Sequence, residues 1–286
     1  MSHNTWESEQ SLRQDKLGFL IDVWERKNKN VNNGNPYMPV GFKIGEDGKL
    51  THDIVVRPSL TSGGNVKTTI NKRKRNKENQ ELIKTVTTLD RGTNSELRLI
   101  LKLLKVGIPS ETIFHDLIIK KSQNKFSQVD IVLATTEGIV VIEVKDYSGW
   151  IFGNGNQTNW TQVMNYGKNK YRFYNPIKQV KSQVLSIKNS LIQFDKIPFF
   201  SIIVFYGDCQ LKEINYVPEN TFIVKPHRIL EALNSIKSNN GPAPYKNKHE
   251  IVDVLRQAVL NGSNKDYKKM HVDNIKNIVG KHRILD

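Results

Sequence analysis

The sequence predicts an α/β fold with a core of helix, three antiparallel strands, helix and strand, flanked by N-terminal and C-terminal appendages. Three observations carry that expectation. Apolar residues recur at helical spacing after Asn94, and three apolar runs of strand length follow between Phe114 and Lys145. A second helical pattern after Pro176 then leads into the apolar run Phe199–Phe205.

Each element has its own signals. Asn94-Ser95-Glu96 opens the first helix with a capping residue and a first-turn acid. Leu97, Ile100, Leu101 and Leu104 follow on one expected face, and Gly107 with Pro109 stops the helix. Phe114–Lys120, Val129–Leu133 and Ile139–Lys145 read as successive strands, the last two joined by the turn Thr135-Thr136-Glu137-Gly138. Gly149–Gly153 and the segment around Trp160 suggest a further hairpin, with Trp150 and Trp160 in the core. Asn175 caps a helix that starts at Pro176 and runs to about Phe194. Helices are also expected over Pro226–Lys237, Lys248–Leu260 and Met270–Val279.

The chain divides into an N-terminal appendage (1–61), a basic linker (62–93), a core (94–240) and a C-terminal helical segment (241–286). In the appendage, residues 11–27 suit an amphipathic helix. Gly41–Ile44 and Ile54–Val56 read as short strands around the turn Glu46-Asp47-Gly48. The run Lys72-Arg73-Lys74-Arg75-Asn76-Lys77 is either a solvated linker or helix face, or a source of auxiliary phosphate contacts.

With 37% hydrophobic residues over 286 positions, the chain can bury a substantial core. No apolar run is long enough for a membrane span. The opening residues lack a basic patch followed by an apolar core, so a cytoplasmic protein without a signal peptide is expected. The one cysteine, Cys209, excludes an intrachain disulfide and a cysteine-rich zinc site. His115, His227 and His249 lack ligand spacing and read as structural or surface residues. No phosphate-loop or nucleophile-elbow pattern is present. The formal charge of +15 attracts polyanions, although a Lys-rich composition gives the same sum without a dedicated partner.

Chemistry concentrates on the third strand. Glu143 and Lys145 are two residues apart and share one face of a pleated strand, while Ile142 and Val144 face the other way. Asp130 lies on the preceding strand, separated from Glu143 by twelve residues and a tight turn. Two adjacent carboxylates repel, and a divalent cation relieves that repulsion. A neighbouring lysine can position or activate water for attack on a phosphate. The competing reading is an ordinary hairpin with surface ion pairs.

The ordered set Glu96, Val129-Asp130, Ile142-Glu143-Val144-Lys145, Gly149-Trp150…Gly153, Trp160 and Asn175-Pro176…Gln179 resembles the nuclease-related domain (NERD) family of the PD-(D/E)xK nuclease superfamily. The likeness covers roughly Asn94 to Leu233. It implies a restriction-endonuclease-like core and metal-dependent hydrolysis of phosphodiester bonds, with DNA ahead of RNA and prokaryotic genome defence as a setting. Asp130, Glu143 and the Val144 carbonyl would ligate Mg²⁺ or Mn²⁺, and Lys145 would serve the attacking water. Glu96 would join through a second metal or a water, or is simply a first-turn acid suited to the helix dipole. Gln179 would contact water or phosphate, or faces solvent.

Tyr147 to Phe194 contains no acidic residue but interleaves aromatics with Lys168, Lys170, Arg172, Lys178 and Lys181, a composition suited to a nucleic-acid groove. The alternative function is a catalytically weak nucleic-acid-binding or partner-docking module on the same fold. A homo-oligomer or a larger defence complex is the expected assembly, with no membrane partner.

Overall fold

A computed structural model describes residues 42–44, 50–52, 66–122, 125–164, 167–264 and 269. The helices expected over 11–27 and 270–279 lie outside them, as do Ile54–Val56. The short N-terminal hairpin pairs β1 (Phe42–Ile44) with β2 (Leu50–His52), so its second strand comes earlier than Ile54. The basic run belongs to a 19-residue helix, α1 (Val66–Lys84), in which Lys74, Arg75 and Lys77 are exposed. Of the arrangements expected for this run, the exposed helix face is the one present, and a mobile connector is corrected. Lys, Arg, Glu and Gln lose little rotamer freedom in a helix, and Pro and Gly are absent from it.

The centre is a mixed α/β arrangement with two sheets. After α2 (Asn94–Lys105) come β3 (Ile113–Ser122), β4 (Lys125–Ala134) and β5 (Ile139–Asp146), paired antiparallel in sequence. Three strands then leave this sheet: β6 (Gly149–Asn154), β7 (Asn159–Met164) and β8 (Asn169–Tyr174). Helix α3 (Pro176–Lys188) returns the chain to β9 (Phe199–Tyr206), which pairs parallel with β5. Next, β10 (Cys209–Asn215) joins β6, and β11 (Thr221–Val224) joins β9. Helices α4 (Ile229–Asn239) and α5 (Lys248–Ser263) follow. The orders are β11-β9-β5-β4-β3 and β10-β6-β7-β8. The expected hairpin around Trp160 is thus part of a four-stranded sheet, set between the third core strand and the second core helix.

Strand alternation divides the core. Val140, Ile142, Ile202 and Val204 pack toward α2 and α4. Ile139, Val141, Ile203 and Phe205 pack toward the other face, where α3 and α5 contribute Ile177, Val180, Ile251 and Leu255. On α2 the fully buried stripe is Leu99, Ile100 and Leu103, one position off the expected face, and Leu97, Leu101 and Leu104 are half-buried. The helix had apolar residues enough for either register, and the sheet selects one.

The second sheet docks through Trp160, whose indole stacks on Phe205 with ring centroids 6.2 Å apart. Trp150 lies across the sheet from it and is only half-buried, with Lys212 Nζ 5.4 Å from its ring centroid, so it is not the core residue expected. Gly153 is glycine because a Cβ there would overlap the Trp160 ring. Asn175 ties the second sheet to α3. Its Oδ1 accepts from Ile177 N at the start of α3, and its Nδ2 donates to the carbonyls of Asn154, Gly155 and Gln157.

This arrangement predicts that Asn175→Ala, which removes the cap and leaves three carbonyls without their donor, costs about 2–4 kcal/mol of stability. Asn175→Asp keeps the cap acceptor but sets a buried carboxylate against those three carbonyls, and in urea unfolding it should lose at least as much stability as Ala.

Candidate active site

Residues of opposite chemical character meet where β4 and β5 begin to part. The ladder runs Leu133↔Val140, Val132↔Val141 and Ile131↔Ile142. One step further, Asp130 stands opposite Glu143, on the face toward α3. There the ladder stops, and the Val144 amide donates to Asp130 Oδ2 at 2.8 Å. The carboxylate takes up a backbone donor at the point where the strands separate.

Glu143 is only 2% exposed, at the end of a strand of aliphatic side chains. Three donors hold it: Lys145 Nζ at 2.6 Å and Gln179 Nε2 at 2.7 Å on Oε1, and Gln183 Nε2 at 2.7 Å on Oε2. Gln179 Oε1 also accepts from Lys145 Nζ at 2.9 Å, closing a ring of three side chains. Helical geometry explains the pair of glutamines, since positions 179 and 183 are four apart and share one face of α3. Gln183 was not singled out from the sequence, although its spacing from Gln179 was the available signal. Its Oε1 is buried with no hydrogen-bond partner.

Glu96 reaches the same cleft from α2. It completes a capping box with Thr93, and its Oε2 lies 2.9 Å from His115 Nε2. His115 is 1% exposed and bonds Thr87 Oγ1 through Nδ1 at 2.9 Å, so this histidine is a buried partner of Glu96. His227 and His249 are exposed.

The strand beside Asp130 is distorted. β3 pairs with β4 at His115↔Ile131 and Leu117↔Val129 but skips the step between them, where Asp116 would face Asp130. Asp116 has φ 54°, a left-handed conformation costly for a non-glycine residue. Arg91 holds it, donating Nε to Oδ2 and Nη2 to its main-chain carbonyl, while Gln128 Nε2 donates to Oδ1. Arg91 also reaches Val259 O and Ser263 Oγ at the end of α5.

The cleft above these groups has a volume of about 490 Å³. Asp130, Glu143, Val144, Lys145, Gln179 and Glu96 line it together with Lys121, Phe126, Tyr174, Ser182 and Gln183. Lys168, Lys170, Arg172, Lys178 and Lys181 do not line it. Lys168, Lys170, Arg172 and Lys181 are exposed, and Lys178 is half-buried. Lys121, which sequence reasoning passed over, stands at its wall and donates to Ser182 Oγ at 2.6 Å.

Charge in the cleft is unbalanced. Burial, then the carboxylates of Glu143 and Glu96, push the Asp130 acid well above its ordinary range, against the opposing pull of the Val144 amide and Lys145. Burial alone would lower the Lys145 ammonium, but Glu143 and then Asp130 outweigh it and hold the lysine protonated. Among the described residues no group of three or more His, Cys, Asp or Glu side chains forms a ready-made metal cage. The donor set still fits a hard divalent ion that keeps much of its water, because carboxylates on neighbouring strands repel one another there.

Residues 91–206 match the family model of the nuclease-related domain. The chain is also similar to an uncharacterized protein of Bacillus anthracis, 24% identical over 178 residues, which is 61% of this chain and 79% of that one. No solved structure matches. The family match gives this segment a nuclease-related character. Among the described residues no helix is long and apolar enough to cross a membrane.

The raised Asp130 value has a signed consequence for stability. The folded state holds this proton to higher pH than the unfolded chain, whose ordinary value is 3.8. Stability from this group is therefore full below that value and is lost as pH rises through the folded one. In chelator, Asp130→Asn should raise the melting temperature at pH 7, with the gain shrinking as pH falls through the folded value. Adding Mg²⁺ should stabilise wild type and leave the variant unchanged, as read by thermal denaturation.

Proposed function

We propose, from the nuclease-related domain carried by residues 91–206, that the cleft hydrolyses phosphodiester bonds in nucleic acid, with DNA ahead of RNA as substrate. The observation that carries this reading is the convergence of Asp130, Glu143 and Lys145 on the floor of one cleft, with Gln179 and Gln183 holding Glu143 in place. The order of helix, three antiparallel strands, helix and parallel strand supports a restriction-endonuclease-like core, with β6, β7 and β8 as an insertion.

Asp130, Glu143 and the main-chain carbonyl of Val144 would hold Mg²⁺ or Mn²⁺. When bound, the ion supplies positive charge against a phosphate that gains negative charge as water attacks. The chain's own residues do the rest. Lys145, whose ammonium the Glu143 and Asp130 carboxylates favour, positions or activates the attacking water beside the phosphate. Gln179 fixes the lysine by accepting from its ammonium while donating to Glu143. In the net reaction one P–O bond to water forms and one P–O bond along the chain breaks. Glu96, anchored by Thr93 and His115, adds a third negative charge that strengthens the demand for a cation.

The test is degradation of plasmid, linear DNA and RNA with Mg²⁺ or Mn²⁺ by wild type, Asp130→Ala and Lys145→Ala. Metal-dependent cleavage that drops by about 100-fold or more in both variants is the expected result. Absence of cleavage on every substrate, with equal nucleic-acid binding by all three proteins, would favour a binding module instead.

A further inference from the structure

Tyr174 ends β8 at the rim of the cleft and is 51% exposed. Half of this large aromatic is open to solvent, and among the described residues no other ring contacts it. Two neighbours fix its place. Phe173 turns inward against Tyr147, with ring centroids 4.6 Å apart, and Asn175 is fully buried in its four hydrogen bonds. The alternation of the strand then sends Lys170, Arg172 and Tyr174 outward together. Their cross-strand partners are Val163, Thr161 and Asn159. β8 is a terminal strand of its sheet and is exposed at every position except Phe173. The result is a narrow stripe of two cations and one aromatic whose Tyr174 end lines the same cleft as Asp130, Glu143 and Lys145.

We infer that this stripe selects an unpaired strand: the cleft takes a single-stranded segment or a frayed end, with one base on the Tyr174 ring and its backbone along Arg172 and Lys170. The inference rests on the nuclease reading for its substrate and adds which form of nucleic acid enters. The physical reason is the availability of base faces. Within a duplex both faces of a base are covered by its neighbours, so an aromatic platform gains only from a base that has left the stack. Phosphate contacts from lysine and arginine supply affinity to either form, so the discrimination comes from the ring. The volume of about 490 Å³ agrees, since it lies in the range of sites that enclose a small ligand. Lys121, which also lines the cleft and is tied to Ser182, offers a cation to the same strand.

Fluorescence anisotropy tests this with a labelled single-stranded oligonucleotide and the blunt duplex of the same sequence, in chelator so that both stay intact. Wild type should bind the single strand at least about tenfold more tightly. Tyr174→Ala should weaken single-strand binding by about 5- to 150-fold and change duplex binding less than about twofold. Tyr174→Phe, which keeps the ring, should restore it and guards against a folding defect. Equal affinity for the two forms, no binding to either, or an unchanged Tyr174→Ala would each overturn the inference. The two readings fail separately. Strand preference without metal-dependent cleavage sinks the nuclease reading alone, and cleavage by a protein that binds duplex equally well sinks the strand preference alone.

Discussion

Burial of the Glu143 carboxylate is the constraint on which the rest of the site depends. A charge at the end of an apolar strand loses its hydration, and that loss must be met by donors or the strand will not sit there. Lys145 and two glutamines meet it, and all three donors need fixed positions. The glutamines require α3 to pack across the sheet in one rotation. That rotation requires Ile177, Val180 and Ile187 to lie against the strands, and it requires the helix to begin where Asn175 begins it. The inserted sheet is fixed by the same asparagine. A large part of the architecture can therefore be read as scaffolding for one buried acid.

The carboxylates are not all satisfied in the same way. Glu143 has three side-chain donors, and Glu96 has Thr93 and His115. Asp130 has one backbone amide, and it is the group whose acid form burial and like charges favour. Net negative demand in the cleft is thus focused at Asp130. Functional sites commonly keep such an imbalance, because the binding of a cation or a substrate is what relieves it.

Much of the core was legible because strand alternation and helix capping are local signals. Glu143 and Lys145 could be put on one face from their spacing alone, and Asp130 could be set beside them from the length of the turn. Asn175 as a cap was visible in the same way. What escaped were features set by tertiary contact. The rotation of α2 depends on which leucines the sheet accepts. Trp150 and Trp160 look alike in sequence, but only one of them meets Phe205. His115 read as an isolated residue because its partner Glu96 lies nineteen positions away on another element. The basic run in α1 read as connector because its charges hid an otherwise good helix-forming sequence. The cations expected in the groove do not line the cleft, while Lys121, on a strand with no aromatic pattern, stands at its wall.

The distortion at Asp116 links distant stretches of the chain. Arg91 precedes α2, Asp116 and Gln128 lie on adjacent strands, and Gly262 closes α5 against the Asp116 carbonyl, with no room for a Cβ. None of these four can change alone without leaving a strained residue or a buried charge unsupported. In hereditary terms they form one character: lineages that alter the arginine must also alter the aspartate, and a C-terminal helix transplanted from a relative brings its glycine or fails to seat. Variation here is expected to be correlated across some 170 positions of sequence, from Arg91 to Gly262.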